Sequence, residues 1–575
     1  MYRRRLTTSI HCIRYLLKQG LAFRGHDESK ESNKRGNFLE LLKWYAKRKK
    51  KVRQVILENA PQNHQMIALD IQRDIVNAAS LETTKAILSD LGDELFSILV
   101  DESRDVSNME QMAVVLRYVN KHGSIIESFL GIVHVTSTTA VSLKAAIEKL
   151  FCEHGLTTSR IRGQGYDGAN NMQGEFGGLK SLILSENPSA FYVHCFAHQL
   201  QLTLVAIAKD HLQVCGIFNS VSNLINVVGG SCKRQDMLRE NQIKNVKKAL
   251  GTGEIASGQG LNQETSLKRP ADTRWSSHFA TLTNLILIKW SHTFDFALTL
   301  HLIKNVLGIS NELSQALQRK DQDIVNVMHL VNITKQRLQA LRDDGWESLL
   351  DEVNLFCNMH DIHIPNMDDI YFSGMSKRGS NAESFTIENH YRIKLFYTVV
   401  DMQLQELNNR FNETNSRLLI CMSCFSPTNL FSSFDKNKLV EFAKFYPREF
   451  CQTSLAMLDN QLETYIIDMR TSIVFASLEG IGDLSKKLVE TRRHVVYPLV
   501  YQLLKLAMIL FVATATVERS FSAMKIIKTR LRNRMGDKWM NDCLVTYIES
   551  DVLEQIDDEP IIQRFQSMDS RKGQL

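Results

Sequence analysis

Leu95-Phe96-Ser97-Ile98-Leu99-Val100-Asp101-Glu102-Ser103 is a short apolar run, rich in strand-forming side chains, that stops on two carboxylates. It is too short for an amphipathic helix and reads as a buried strand, whose rigid backbone can aim a carboxylate from its end into a cleft. Working outward, residues 112–119 and 125–135 are further β-rich runs. Asn108 and the Lys121-His122-Gly123 triplet supply the turns between them, so an antiparallel meander is expected. A helix over 137–152, a strand over 159–164 and another over 191–195 follow. A long apolar helix from Phe196 to Val228 then closes at Gly229-Gly230. The expectation is an α/β unit whose five strands are complete by residue 230.

On the N-terminal side, Ile13, Leu16, Leu17, Ile71, Ile75, Val76 and Leu88 fall at helical spacing, so residues 1–92 read as helical. On the C-terminal side, 251–272 is polar and glycine-rich, and the periodicity from there to about 500 is helical apart from a loop over 365–381. From Thr514 onward the chain is again amphipathic, with Val517, Phe521, Met524 and Leu531 on one stripe. The divisions expected are 1–92, 93–230, 231–505 and 506–575.

Among 575 residues, 44% hydrophobic and 23% charged side chains with only 8 prolines give an ordinary globular composition. The most apolar stretch, 506–517, is bounded by Lys505 and Glu518 and is too short to span a bilayer, so no membrane role is expected. Ten scattered cysteines do not make a disulfide framework, and a reducing compartment is expected. A net charge of +6 does not by itself imply nucleic acid.

Three stretches carry chemistry. Asp101 is either a metal ligand or the cap of a turn. Asp167, in Gly163-Gln-Gly-Tyr-Asp167-Gly-Ala-Asn-Asn171-Met172, leaves a second strand among small residues that permit close approach, or marks a plain turn. Glu518, in Thr514-Ala-Thr-Val-Glu518-Arg-Ser-Phe-Ser522, stands in the first turn of a helix. There the dipole favours its ionised form, whether to bind a cation or merely to complement the helix end. Arg519, Lys525, Lys528, Arg530, Arg532 and Arg534 follow, as a phosphate-tracking face or a solvated one. The run Lys47-Arg-Lys-Lys-Lys51, extended by Lys43 and Arg53, is an import signal, a DNA contact or a solvated helix face. Cys421 and Cys424, with no second pair, read as helical core.

Five motifs in order resemble the catalytic region of hAT-superfamily transposases, in the group related to MYM-type zinc finger proteins and plant TTF-type proteins with a DUF4371-like region. They are Val-Asp-Glu-Ser-Arg-Asp at 100–105, Gly-Tyr-Asp-Gly-Ala-Asn-Asn-Met at 165–172, Cys-Phe-Ala-His at 195–198, Asp-Thr-Arg-Trp at 272–275 and Val-Glu-Arg-Ser-Phe-Ser at 517–522. The resemblance implies an α/β RNase H-like core, a mixed five-stranded sheet with helices, interrupted by a large all-α insertion. Asp101, Asp167 and Glu518 would hold two Mg²⁺ or Mn²⁺ ions for DNA strand cleavage and joining. Arg274 and Trp275 would contact DNA beside the basic run, the ring stacking on an unpaired base. Cys195 and His198 would be structural near the site, with no structural zinc and no small-molecule cofactor. Trp539, Leu544, Tyr547 and Ile548 would form a dimerisation stripe, although packing within one chain would look the same. DNA, a second copy of the chain and a nuclear location are the implied partners and place.

The sequence departs from the family in two ways. Cys12 is the only cysteine before residue 100, so no N-terminal zinc finger can be assembled, and Phe511 stands where relatives often place proline. The alternative function is therefore a domesticated or truncated transposase-derived binding and dimerisation protein without catalysis.

Overall fold

The sheet is built from β1 (Phe96–Arg104), β2 (Glu110–Val119), β3 (Ile125–His134), β4 (Ile161–Tyr166) and β5 (Phe191–His194), in the order β3-β2-β1-β4-β5. The first three strands form the expected antiparallel meander, while β1, β4 and β5 run parallel, making the sheet mixed. The computed structural model describes residues 1–29, 31–61, 65–174, 177–251, 279, 282–283, 293–319, 324–371, 385–411 and 416–568.

Both faces of the sheet are covered, which is why β1 and β2 read as nearly unbroken apolar runs. Phe96, Ile98, Val100, Met112, Val114 and Leu116 point to one face, where Leu143, Ile147 and Phe151 of the helix Ala140–Glu153 complete the core. Burying each such side chain contributes roughly 1.5–3 kcal/mol relative to exposure. The alternate residues face the helices Pro498–Ile509 and Ala515–Ile527, which pack on β2.

Two compact units result. The first joins Met1–Cys195 to Leu418–Leu575 and the second is Phe196–Arg417. These boundaries differ from the expected 231–505 insertion at both ends. The N-terminal helices Tyr2–Lys18, Asn37–Arg48 and Leu69–Leu91 belong with the sheet rather than to a region of their own. Residues from Leu418 onward return to the first unit because β4 and β5 hold them. Arg162 forms a buried ion pair with Glu449, and Phe191 packs edge-on against Phe445 and Tyr446.

Among its described residues the second unit is helical, with one isolated bridge between Ile370 and Thr386. The long helix expected from Phe196 to Val228 is two, Phe196–Asp210 and Leu212–Gly229, because His211 takes an extended backbone conformation between them. Gln403 donates to Thr203 and Trp346 packs against Phe396 in its interior. Cys421 and Cys424, in the first unit, are buried as expected.

Candidate functional site

β1 does not stop at Val100. It continues through Asp101, paired to Ala113 of β2, out to Arg104. Its other neighbour ends sooner, since the parallel ladder to β4 finishes at Leu99–Gly165, and two residues further along each strand stand Asp101 and Asp167. The site therefore opens where β1 outruns β4, as expected for a ligand site at the carboxyl ends of parallel strands.

The third acid arrives from far along the chain. After the helix Pro498–Ile509, residues 510–511 cross β4, and the helix Ala515–Ile527 begins beyond Thr514 with Glu518 in its first turn. This crossing needs glycine. A Cβ on Gly165 would overlap the Phe511 ring, and one on Gly163 would overlap Ser97 and meet Leu510 at 3.0 Å. The small residues beside Asp167 thus admit the segment that carries Glu518.

Three polar clamps hold that helix. Thr514 donates from its amide at 3.3 Å and from its hydroxyl at 3.2 Å to the buried Cys195 Sγ at the end of β5. On β2 and β3, buried Arg117 donates to Glu127 at 2.6 Å and to the Met508 carbonyl at 3.1 Å, and Thr516 donates to the same Glu127. At the helix C-terminus, the Lys528 ammonium lies 2.6 Å from Asp105, and both side chains are almost wholly buried.

Asp167 and Glu518 both lie within electrostatic reach of Asp101. Burial, then the charge of Asp167 and, more weakly, those of Glu518 and Glu102, push Asp101 up to about 8 against a hydrogen bond from the Glu102 amide. Glu102 is a fourth acid here, raised to about 7 by burial, Asp167 and Glu110, with Asn171 donating to it at 3.1 Å. Tyr192 donates to the Asp167 carbonyl at 3.2 Å, and the Ala169 amide to its carboxylate at 3.1 Å. Glu102 and Asn171 lie inside the motifs read from sequence, but only the fold shows that they touch. The carboxylates offer oxygen ligands, the chemistry a hard divalent cation requires. Among the described residues, no three His, Cys, Asp or Glu side chains are already drawn together tightly enough to cage one ion.

Several expected roles change. The helix ends at Ile527 rather than running on through the basic residues, so Leu531 is 98% exposed instead of lying on the apolar stripe. Lys528 is committed to Asp105 and Arg532 donates to the Gly20 carbonyl, which removes both from a phosphate-tracking face. Arg519, Lys525, Arg530 and Arg534 are exposed. The stripe assigned to dimerisation is largely used within the chain, because the helix Asp537–Ile548 lies on β3 and on the helix Leu69–Leu91. Leu544 is fully buried, Trp539 packs edge-on against Phe23, and Tyr547 and Ile548 are half-buried. Cys195 closes the first unit while His198 belongs to the first helix of the second. Arg274 and Trp275 lie outside the described residues.

The Asp105–Lys528 pair gives a pH-dependent expectation. Burial raises Asp105, but Lys528 and the amides of Met109 and Ser107 outweigh it and leave the carboxyl below its ordinary 3.8. A depressed folded pKa stabilises above the unfolded value, and that stability is lost as pH falls below it. Asp105→Asn is expected to cost about 3 kcal/mol near neutrality, the low end for breaking a buried pair, because the amide oxygen still accepts from the stranded ammonium. The gap to the parent protein should narrow in urea titrations below pH 3.8. A gap that stays constant down to pH 2 would contradict the assignment.

These features define a mixed five-stranded sheet protein with carboxylates gathered where β1 outruns β4. Residues 1–178 match the family described as ZMYM1/FAM200, RNase-like domain, and residues 482–552 match the hAT family C-terminal dimerisation region. Both matches support descent from hAT transposases. Among curated proteins it is similar to the human "52 kDa repressor of the inhibitor of the protein kinase", 22% identical over 511 residues, covering 80% of this chain and 62% of the relative. The mouse protein of the same name is 21% identical over 499 residues, covering 80% and 63%. The chain thus spans about three-fifths of the length of these relatives.

Proposed function

We propose that this chain is a transposase-derived protein that binds DNA in the nucleus and self-associates, regulating by occupancy. The observation that carries the reading is the pairing of an RNase-like domain with a hAT dimerisation region inside one compact unit. Exposed Arg519, Lys525, Arg530 and Arg534 offer cations to phosphates, and the name "repressor" on both similar proteins is in keeping with occupancy. With Leu544 committed to the core, Val495, Val496, Ile526 and Leu531 are the apolar side chains left exposed for a second copy among the described residues of the matched dimerisation segment.

A second reading has its own support. The strand order β3-β2-β1-β4-β5 and the convergence of Asp101, Asp167 and Glu518 suit an RNase H-like nuclease. In that case the three acids, joined by Glu102, would hold two Mg²⁺ or Mn²⁺ ions. When bound, these ions activate water or a 3′ hydroxyl and neutralise the leaving oxygen in phosphoryl transfer. The chain's own contribution would be a rigid strand under Asp101 and a clamped helix under Glu518.

Nicking of supercoiled plasmid in Mn²⁺, compared between the parent chain and Asp167→Ala, separates the two. Equal rates are expected from regulation by occupancy. A parent rate ten or more times that of the variant would instead establish the nuclease.

A further inference from the structure

The segment Lys43-Trp-Tyr-Ala-Lys-Arg-Lys-Lys-Lys-Val-Arg53 holds seven cations and no acid, more positive charge than the +6 net of the whole chain. Away from this segment the chain is close to neutral. The fold turns the run into a surface. Phe38, Leu39, Leu42 and Ala46 bury the inner side of the helix Asn37–Arg48. The backbone becomes extended at Lys49, and a single further turn, Lys50–Arg53, is pinned by buried Val52.

Lys47, Arg48, Lys49, Lys50, Lys51 and Arg53 are left exposed around this corner. None of the six is ion-paired among the described residues, whereas exposed cations nearby are: Arg3 with Glu559, Lys18 with Glu554 and Arg24 with Glu28. Lys43 is engaged by Glu40, and Asp558, which reaches this face through His11 and Tyr45, is already held by His11 and Arg14.

Two aromatic rings sit among the cations. Trp44 is 55% exposed, with the Arg48 guanidinium 5.6 Å from its ring centre, and Lys49 lies over Tyr45 and donates to its hydroxyl at 3.0 Å. Cations without acidic partners beside an exposed indole suit a phosphodiester chain with a base to stack, since cations track the backbone and a ring accepts any base face. An acidic peptide would use the charge but not the indole.

We propose that Lys47, Arg48, Lys50, Lys51 and Arg53, with Trp44, form a second nucleic-acid contact with a preference for single-stranded or unpaired DNA, separate from the basic residues that follow Glu518. The inference rests on the DNA-binding reading above and extends it to a surface at the other end of the chain.

The test is fluorescence anisotropy of labelled single- and double-stranded 20-mers across a salt series. It compares the full chain with the triple variant Lys47→Glu, Lys50→Glu, Lys51→Glu, with Trp44→Ala, and with Arg519→Glu, Lys525→Glu, Arg530→Glu. All these side chains are exposed or largely so, and unchanged melting curves would confirm intact folding. The first triple variant is expected to weaken binding at least tenfold. It should also lower the slope of log K against log salt by about two to three, at roughly 0.7–0.9 for each phosphate no longer neutralised. Trp44→Ala should weaken single-strand binding several-fold more than duplex binding. If the full chain binds but the first triple variant matches it, the proposal is overturned while the DNA-binding reading stands. Failure of the full chain to bind either DNA overturns both. Capture of the segment by an import receptor, with DNA affinity unchanged by the variant, assigns the surface to that acidic protein instead and also overturns the proposal.

Discussion

Glu127→Ala is expected to destabilise the sheet unit by about 3–5 kcal/mol, the usual cost of breaking a buried ion pair from one side. Arg117 is 2% exposed and donates to Glu127 at 2.6 Å, so the truncation strands a guanidinium away from water. The same change removes the acceptor of Thr516, in the first turn of the helix that carries Glu518. Glu127→Gln keeps an acceptor for the hydroxyl but removes the charge, and should fall between the parent and the alanine variant. Urea unfolding followed by circular dichroism measures all three. A loss below about 1 kcal/mol for the alanine variant would show that solvent reaches Arg117 and that the clamp is a surface pair.

Gly165→Ala should also be damaging, for a steric reason. The added methyl overlaps the ring of Phe511, which is itself fully buried beneath the 510–511 crossing. Either the ring or the crossing must shift, and overpacking of this kind costs about 1–3 kcal/mol. Cavity and clash compensate when they share a site, so Gly165→Ala combined with Phe511→Leu should recover part of the loss instead of adding to it. Strict additivity of the two unfolding free energies would mean that Phe511 is not what Gly165 makes room for.

That packing explains why the string around Asp167 is hard to read in one dimension. Gly165 looks like an ordinary turn glycine, yet it lies with Gly163 inside β4, and both serve a segment more than 340 positions away. Likewise Asp105 closes the 100–105 motif as one more acid, and only the fold shows it buried against Lys528. Lys528 is for the same reason indistinguishable in sequence from its exposed neighbours. A basic run records charge, not which side chain faces inward once the helix ends at Ile527.

The C-terminal stripe is ambiguous in a different way. Apolar spacing at Trp539, Leu544, Tyr547 and Ile548 identifies a face that must be covered, and burial is non-directional, so the pattern cannot say by what. Here β3 and the helix Leu69–Leu91 cover it.

The one-dimensional code by itself determined the meander and the helical ends, and it offered the three acids as candidates. Alternation and short β-branched runs are local consequences of backbone geometry, and charged residues at the ends of such runs are visible without a fold. Tertiary structure alone decided that Asp167 and Glu518 come within electrostatic reach of Asp101, that Asn171 donates to Glu102, and which cations face solvent. Those are facts about distance between chain-remote groups, fixed by which surfaces bury one another, and no local pattern encodes a distance of that kind.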